Sequence, residues 1–326
     1  MESEAPVEVD PHAPLTTQML PVGERHTLYV ETVGNADGIP ALFLHGGPGS
    51  GCQPSHRRLF DPDRFHAVLF DQRGAGRSMP HGERAANSTD RLIADIELIR
   101  ATLGIERWLV VGGSWGATLA LAYAQAYPHR VTAVVLRAAF LGTRSELDRA
   151  FSTAMSHFYP RLHADFLDLL TVPERADPLE AYWRRILDPD PEIHRPAAFA
   201  WYQAERILSQ IAPPAEALDL SQLPAPGARF PASPFMEAHY FSNDCFLEPG
   251  QLLANAPKLA GIPGRIVQSR YDLLCPPATS HALAEAWPGA TVQIVGAAGH
   301  GQSEPGVEAA IGAALADLHP VVIDGQ

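Results

Sequence analysis

Cysteine is scarce in this sequence: there are three cysteines among 326 residues, and no two have Cys-x-x-Cys spacing. An odd and scattered set of this kind indicates neither a disulfide framework nor a zinc site. We therefore expect a protein of a reducing compartment, the cytoplasm, that works without a metal ion.

Long apolar runs and clusters of basic residues are missing as well. No apolar stretch approaches the ~20 residues of a membrane helix, and the acidic start MESEAPVEVDPH lacks the basic and apolar regions of a leader peptide. The formal net charge of −13 disfavours phosphate-bearing partners, because they would be repelled. We expect no binding to nucleic acid or membranes, and the oligomeric state stays open.

The sequence does contain a series of short β-type runs with helical patterns between them. These runs are HTLYVET (26–32), ALFL (41–44), HAVLFD (66–71), WLVV (108–111), VTAVVL (131–136), RIVQS (265–269) and TVQIV (291–295). Such alternation predicts an α/β fold, in which helices flank a mostly parallel central sheet.

A helical block interrupts this series. Between residues 141 and 245 the strand runs vanish, and helical stretches such as LEAYWRRIL and AFAWYQAERIL take their place. We interpret the block as an inserted cap. The predicted organisation is an N-terminal core part over residues 1–140, a helical cap over 141–245, and a C-terminal core part over 246–326.

The segment VVGGSWGATLA (110–120) places a serine where a strand runs directly into a helix. Gly-x-Ser-x-Gly in this context predicts a nucleophile elbow, a turn so tight that the neighbours of the serine must be small. Gly112 and Gly116 are those neighbours, so Ser114 is the candidate nucleophile. The alternative is a glycine-rich turn that carries a serine by coincidence.

A nucleophilic serine needs a base and a group that orients this base. Asp272 follows the strand run RIVQS, and His300 lies in a glycine-flanked loop after TVQIV. The order serine, acid, histidine is that of the α/β-hydrolases. We therefore predict a triad of Ser114, Asp272 and His300; the alternatives are a structural turn role for Asp272 and a surface position for His300.

The glycine-rich segment HGGPGSG (45–51) predicts the fourth part of such a site. Glycines let backbone N–H groups approach a reacting carbonyl oxygen, and we expect the N–H groups of Gly47 and Trp115 to form an oxyanion hole. The glycine spacing also fits a phosphate-binding loop. Cys52 stands where that motif requires lysine, which argues against the phosphate-binding interpretation.

Several blocks together resemble the proline iminopeptidase (prolyl aminopeptidase) family of α/β-hydrolases. They are HGGPGSG, LFDQRGAGRS, GGSWGATLALAYAQAYPHRV, RYDLLCP and AGHGQSEPG, within roughly residues 20 to 318. The resemblance implies an α/β-hydrolase fold and the triad named above. It also implies a cofactor-independent enzyme that releases proline from small peptides with a free N-terminus. In LFDQRGAGRS, we expect Asp71 and Arg73 to be structural.

The same resemblance points to residues of the cap. The family binds the substrate amine through two glutamates in motifs similar to W-x-x-W-E and E-N-H-Y-F, which match WYQAE and EAHYF here and give Glu205 and Glu237. Phe140 and Tyr271 are candidate walls for a pyrrolidine ring. Ala204 replaces the second tryptophan of the first motif, which predicts a larger or differently shaped pocket.

Three functions follow as hypotheses. The first is a serine aminopeptidase that releases N-terminal proline through an acyl-enzyme. The second keeps the triad in an esterase or amidase for other amino-acid amides or small esters. The third is a ligand-binding receptor of the same fold without chemistry, which the full set of triad and oxyanion elements disfavours.

Overall fold

The computed structural model describes residues 10–228 and 230–324, so most of the acidic N-terminal stretch lies outside it. Eight strands form a single sheet. Their bounds are β1 Pro14–Gly23, β2 His26–Gly34, β3 Ile39–Leu44, β4 Phe65–Phe70, β5 Trp108–Ser114, β6 Val131–Ala139, β7 Gly264–Ser269 and β8 Ala290–Val295.

The strands lie side by side in the order β1-β2-β4-β3-β5-β6-β7-β8. β2 pairs antiparallel with both β1 and β4, whereas every other neighbouring pair is parallel. The predicted mostly parallel sheet is therefore confirmed. The carboxyl ends of β5, β6, β7 and β8 meet at one edge of the sheet, where ligands of such folds bind.

Helices surround this sheet and fill the long connection between β6 and β7. Their bounds are α1 Pro54–Arg57, α2 Thr89–Thr102, α3 Trp115–Ala126, α4 Arg144–Asp148, α5 Met155–Phe158, α6 Pro160–Asp168, α7 Pro178–Ile186, α8 Pro191–Leu208, α9 Ser233–Phe241, α10 Gln251–Ala254, α11 Pro277–Ala286 and α12 Val307–Asp324. A π-helical segment, Arg149–Ala154, joins α4 to α5. Within the described ranges, no helix has both the length and the apolar character of a membrane span.

Two apolar clusters cover the two faces of the sheet. One contains residues of α2, α3 and α11 and continues into the helices between β6 and β7, and the other contains residues of α12. Helix α3 is buried along nearly its whole length, because its many alanines allow it to lie close against the strands. The sheet is thus a fixed platform for the side chains at its carboxyl edge.

The helices α4 to α9 have an aromatic core of their own. The rings of Phe151 and Trp201 stack at a centroid distance of 4.2 Å, and those of Phe166 and Tyr182 stack at 3.8 Å. Among the described residues, no strand of the sheet lies between β6 and β7. This helical block corresponds to the predicted cap, and the exact division of the chain at residues 140 and 245 stays a prediction.

Candidate active site

Ser114 lies at the sharp turn between β5 and α3. Its φ of 57° and ψ of −124° place it in a strained region that side chains rarely occupy. A side chain on Gly112 would collide with the carbonyl oxygen of Gly116, and one on Gly116 would collide with the carbonyl oxygen of Leu44. The two glycines are therefore required by contact, as a nucleophile elbow demands.

Asp272 and His300 meet at the same edge of the sheet. Nδ1 of His300 lies 2.9 Å from Oδ2 and 3.1 Å from Oδ1 of Asp272. Oδ1 also accepts hydrogen bonds from the backbone N–H groups of Leu274, at 3.0 Å, and Cys275, at 2.8 Å. Because the carboxylate accepts the Nδ1 proton, Nε2 of His300 is left free to accept another.

A cavity of about 290 Å³ brings the serine and the histidine together. We call it the polar cavity, and its lining includes Ser114, His300, Arg137, Glu205, His56 and Gln302. In the described part of the chain, no hydrogen bond joins Ser114 to His300. Hydrogen bonds between catalytic groups are often long before a substrate binds, so proton transfer from Ser114 to His300 stays a prediction.

The side chain of Ser114 instead interacts with the thiol of Cys275. Burial raises the pKa of this thiol, the negative charge of Asp272 adds to the rise, and the contact with Ser114 partly offsets it. The thiol therefore stays protonated and is a poor nucleophile. Ser114 remains the candidate nucleophile.

The loop before Gly47 is held by a buried histidine. Nδ1 of His45 lies 2.9 Å from the carbonyl oxygen of Gly46, and its Nε2 lies 3.0 Å from the backbone N of Gln72. This pattern fits a neutral ring that donates from Nδ1 and accepts at Nε2. Burial lowers the pKa of His45, which agrees with a neutral ring. The histidine is thus a structural part of the loop.

The predicted oxyanion donors lie on either side of the serine. Trp115 is the first residue of α3, so its backbone N–H has no partner within the helix. Its indole Nε1 donates to Oε1 of Gln72 at 2.8 Å, which fixes the side chain away from the cavity. Gly47 lines the polar cavity beside Ser114.

Asp71 and Arg73 make the structural contacts expected of LFDQRGAGRS. Asp71 accepts a hydrogen bond from the backbone N of Cys52 at 2.7 Å and pairs with Arg77 at 2.7 Å. Arg73 forms a buried ion pair with Asp95, also at 2.7 Å. The first set of contacts joins the glycine-rich loop to the loop after β4.

Glu205 of α8 and Glu237 of α9 interact with each other, and of the two it is Glu205 that lines the polar cavity. Glu205 lines the cavity, and Glu237 is buried, with Oε2 accepting a hydrogen bond from Nε1 of Trp201 at 2.5 Å. Burial raises the pKa of Glu205 to about 7. Burial, followed by the charge of Glu205, raises the pKa of Glu237. The arrangement favours a cation as the missing partner, because it would relieve both effects.

No third ligand of a metal site accompanies these carboxylates. In residues 10–228 and 230–324, no three His, Cys, Asp or Glu side chains are grouped so that they could hold a metal ion. The second oxygen of Glu237, Oε1, is buried and has no hydrogen-bond partner among the described residues. An N–H donor from a bound molecule would satisfy it.

A second, apolar cavity adjoins the first. Its lining includes Phe140, Leu147, Ala150, Phe151 and Phe241, and it shares Ser114, Gly47, Glu205 and Leu274 with the polar cavity. We call it the apolar cavity. Phe140 thus lies where the sequence predicted a pocket wall, and the phenylalanines of the cap complete an apolar enclosure next to the serine.

The structure places Tyr271 and Ala204 elsewhere. Tyr271 is 55% exposed and lines neither cavity, because the turn after β7 directs its neighbour Asp272 inward. Ala204 is fully buried in the cap and also lines neither cavity. Ala204 itself therefore contributes no surface to either cavity, and the effect of the replacement on the pocket stays a prediction.

Arg137 is a site residue that the sequence reasoning missed. It lies near the end of β6, lines the polar cavity, and donates a hydrogen bond from Nη1 to the backbone carbonyl oxygen of His300. A charged residue at the carboxyl end of the apolar run VTAVVL was the available signal, since β6 ends at the same edge as β5.

Comparison with known proteins identifies the family of this fold and site. Residues 40–306 match the model of the alpha/beta hydrolase fold family. Proline iminopeptidase of Arabidopsis thaliana is 43% identical over 307 residues, which cover 94% of this chain and 79% of that protein. Proline iminopeptidase of Xylella fastidiosa strain 9a5c is 42% identical over 293 residues, covering 90% of this chain and 93% of that protein.

Solved structures agree on the fold. The crystal structure of proline iminopeptidase from Mycobacterium smegmatis superimposes with a TM-score of 0.62 at 17% identity, covering 95% of this chain and all of that one. Identity at this level supports the fold alone. Together with the close relatives, the geometry at the carboxyl edge of the sheet shows that this chain is a serine hydrolase of the proline iminopeptidase family of α/β-hydrolases.

Proposed function

We propose that the protein is a serine aminopeptidase that releases N-terminal proline from short peptides through an acyl-enzyme. The observation that carries this proposal is the pair of interacting carboxylates, Glu205 and the buried Glu237, of which Glu205 lines the same cavities as Ser114. Two carboxylates in a closed pocket select a cation, and the protonated amine of a peptide is such a cation. The names of its relatives, proline iminopeptidases, support the same substrate.

The triad and the oxyanion hole would carry out the bond cleavage. Nε2 of His300 takes the proton of the Ser114 hydroxyl while the serine oxygen attacks the prolyl carbonyl carbon, and Asp272 stabilises the charged imidazole ring. The N–H groups of Gly47 and Trp115 hold the oxyanion, each contributing ~3–4 kcal/mol in the transition state. The imidazolium then protonates the leaving amine, and water hydrolyses the acyl-enzyme.

The cap would restrict the reaction to the first residue of a peptide. Charge-assisted hydrogen bonds from the substrate amine to Glu205 and Glu237 contribute ~1.5–3 kcal/mol each. Because Glu205 lines the same cavities as Ser114, the carbonyl of the first residue is the one that would reach the serine when the amine is bound. The helical segment 141–245 acts in this proposal as a cap over the site.

The apolar cavity would bind the pyrrolidine ring of the N-terminal proline. Phe140, Phe151 and Phe241 offer apolar surface to the pyrrolidine ring, at about 25 cal/mol per Å² of area removed from water. Tyr271, which the sequence suggested for this role, is too exposed to contribute.

We also propose a cytoplasmic enzyme that needs no cofactor and has no nucleic acid or membrane partner. The three cysteines are all free and buried, which fits a reducing compartment. The acidic net charge of −13 supports the absence of nucleic acid partners. Cell fractionation with an antibody against the native protein tests the location.

The decisive experiment compares prolyl-naphthylamide with its N-acetylated counterpart. We expect cleavage of the free amine at least a hundredfold faster, because the acetyl group removes the cation that the two glutamates bind. Ser114→Ala serves as the control and should cleave neither compound. Equal cleavage of both compounds by the wild-type protein would end the amine-recognition proposal.

The esterase or amidase alternative rests on the replacement of tryptophan by Ala204, a residue that lines neither cavity. Comparing alanyl and prolyl naphthylamides still separates the two functions, since an amidase of broad range would cleave the alanyl compound faster. Labelling of Ser114 by a fluorophosphonate would argue against the receptor without chemistry.

A further inference from the structure

Arg137 presents a guanidinium group to the polar cavity next to the nucleophile elbow. A side chain built on Gly113, the residue before Ser114, would stand 2.7 Å from both Nε and Nη2 of Arg137. The guanidinium therefore packs directly against the backbone that carries the nucleophile. Its Nη1 donates a hydrogen bond to the carbonyl oxygen of His300.

This guanidinium has no acidic partner of its own. Among the described residues, it forms no ion pair with an Asp or Glu side chain, and the nearby Asp272 is already engaged by His300 and two backbone N–H groups. Burial lowers the pKa of Arg137, because separation from water disfavours the charged guanidinium. An anion in the cavity would supply the missing compensation.

The polar cavity adjoins the apolar one at Ser114. In the described part of the chain, the residues that line both cavities are Ser114, Gly47, Glu205 and Leu274. If the proline ring fills the apolar cavity, the polar cavity is the adjoining space for the residue after the scissile bond. Among the described residues, Glu205 is the only carboxylate that lines the polar cavity, and in our proposal the substrate amine neutralises it.

Arg137 and Ser114 line the same cavity. A residue spans only ~3.8 Å from one Cα position to the next, so a single leaving residue is short enough to remain in this cavity while the prolyl carbonyl is at the serine. Its terminal carboxylate would then share the cavity with the guanidinium of Arg137.

We propose that Arg137 binds the C-terminal carboxylate of the leaving residue, so that the enzyme prefers Pro-X dipeptides with a free carboxylate. This inference rests on the proposed aminopeptidase function and specifies its substrate class. Guanidinium groups bind carboxylates through two parallel N–H donors, and Nε with Nη2 is such a pair. Glu205 would then bind the amino terminus of a dipeptide, and Arg137 would bind its carboxyl terminus.

The test compares Pro-Gly with Pro-Gly amide, two substrates that differ at the terminal carboxylate. For the wild-type protein, we expect kcat/KM for Pro-Gly to exceed that for the amide by about ten- to a hundredfold, with the difference mainly in KM. Equal values for the two substrates would overturn the proposal without any variant. Prolyl-naphthylamide, which has no carboxylate, reports separately on the proposed function.

Variants of the cavity residues show which side chain causes the preference for Pro-Gly over Pro-Gly amide. Arg137→Gln should reduce the ratio of acid to amide to near the value set by the different basicity of the two leaving amines. Arg137→Lys should keep part of it, because the charge remains. Arg206→Gln is the matched control, since Arg206 lines the same cavity on the cap side and its loss should leave most of the ratio.

The outcomes separate binding from a purely positioning role. If Arg137 only holds the carbonyl oxygen of His300, Arg137→Gln lowers kcat for acid, amide and naphthylamide alike and keeps the ratio, which contradicts the proposal. Loss of the ratio in Arg206→Gln alone would move the carboxylate site to the cap and also contradict it. No cleavage of any prolyl compound by wild type would instead refute the proposed function.

Discussion

The indole Nε1 of Trp201 donates a 2.5 Å hydrogen bond to Oε2 of Glu237. The bond holds the carboxylate in place, and its other oxygen, Oε1, remains without a hydrogen-bond partner in the described residues. Glu237 is thus oriented before a substrate arrives. Trp201 is itself packed against Phe151, so the aromatic core of the cap fixes the position of the amine-binding group.

This arrangement predicts that Glu237→Gln stabilises the protein at alkaline pH. The pKa of Glu237 is raised in the folded state, so above its unfolded value the unfolded chain gains more from ionisation than the folded chain does. The native glutamate therefore lowers stability increasingly as the pH rises, and the amide avoids this effect. We expect Tm at pH 8 to rise by about 2 °C or more.

The comparison is made by thermal unfolding between pH 4 and pH 8. The gain should shrink towards pH 4, where both states of the wild-type protein are protonated. Glu248→Gln is the control at an exposed glutamate and should change Tm little at any pH. An equal effect of Glu237→Gln at both ends of the pH range would contradict the burial argument.

The raised pKa of Glu205 leads us to expect proton release when an amine binds. Its pKa of about 7 leaves most of the group protonated at pH 6, and a bound cation favours the ionised form. Prolinamide binding to Ser114→Ala, a variant that cannot cleave it, should therefore release protons into the solvent at pH 6. Calorimetry in buffers of different ionisation enthalpy measures the number released.

The same titration above pH 8 should release fewer protons, because Glu205 is then already ionised. Adding Glu205→Gln to the Ser114→Ala background should reduce the release at pH 6 by the share of Glu205, and the remainder comes from Glu237, whose pKa is also raised. Unchanged release in the double variant would assign the proton to another group and remove Glu205 from amine binding.

The sequence was sufficient for the parts of the site that depend on local contacts. The elbow could be predicted because its motif is local: Gly112 and Gly116 flank Ser114, and a side chain on Gly112 would collide with the carbonyl oxygen of Gly116. Asp272 and His300 could be placed because the carboxyl ends of parallel strands meet at one edge. The helix that the motif places after the serine begins directly at Trp115 in the structure.

Other features depend on contacts between distant segments, which no local pattern encodes. The contact of Arg137 with the carbonyl of His300 joins residues 163 positions apart. The edge strand β1 was missed because it is largely exposed and has no apolar run. Tyr271 was misjudged because the direction of neighbouring side chains in a turn depends on the turn geometry, which directs Asp272 inward.

Asp272→Asn should lower kcat by about 10⁴ with little change in KM. Oδ1 of asparagine can still accept the N–H groups of Leu274 and Cys275, so its Nδ2 would face Nδ1 of His300. The ring must then carry its proton on Nε2, where it cannot accept one from Ser114. Steady-state kinetics with prolyl-naphthylamide measure the effect, and retention of full activity would remove Asp272 from the triad.

Gly116→Ala and Gly312→Ala should have opposite effects on stability. A methyl group on Gly116 collides with the carbonyl oxygen of Leu44, whereas one on Gly312 in α12 meets nothing within 4 Å. Alanine in a helix is favoured over glycine by about 1 kcal/mol, so Gly312→Ala should raise Tm. A folded, fully active Gly116→Ala protein would contradict the close packing of α3 against β3.

Cys275 should make the enzyme sensitive to thiol reagents although it takes no part in catalysis. Its side chain lines the apolar cavity beside Ser114, so a bulky adduct there would exclude the substrate. Inactivation by a maleimide should be slow at neutral pH and faster as the pH rises, because burial raises the pKa of the thiol.

Cys275→Ser should stay active and resist the reagent. Cys52 is a buried cysteine that lines neither cavity, so Cys52→Ser should remain as sensitive as wild type. Inactivation of Cys275→Ser at the wild-type rate would show that the reagent acts at another position.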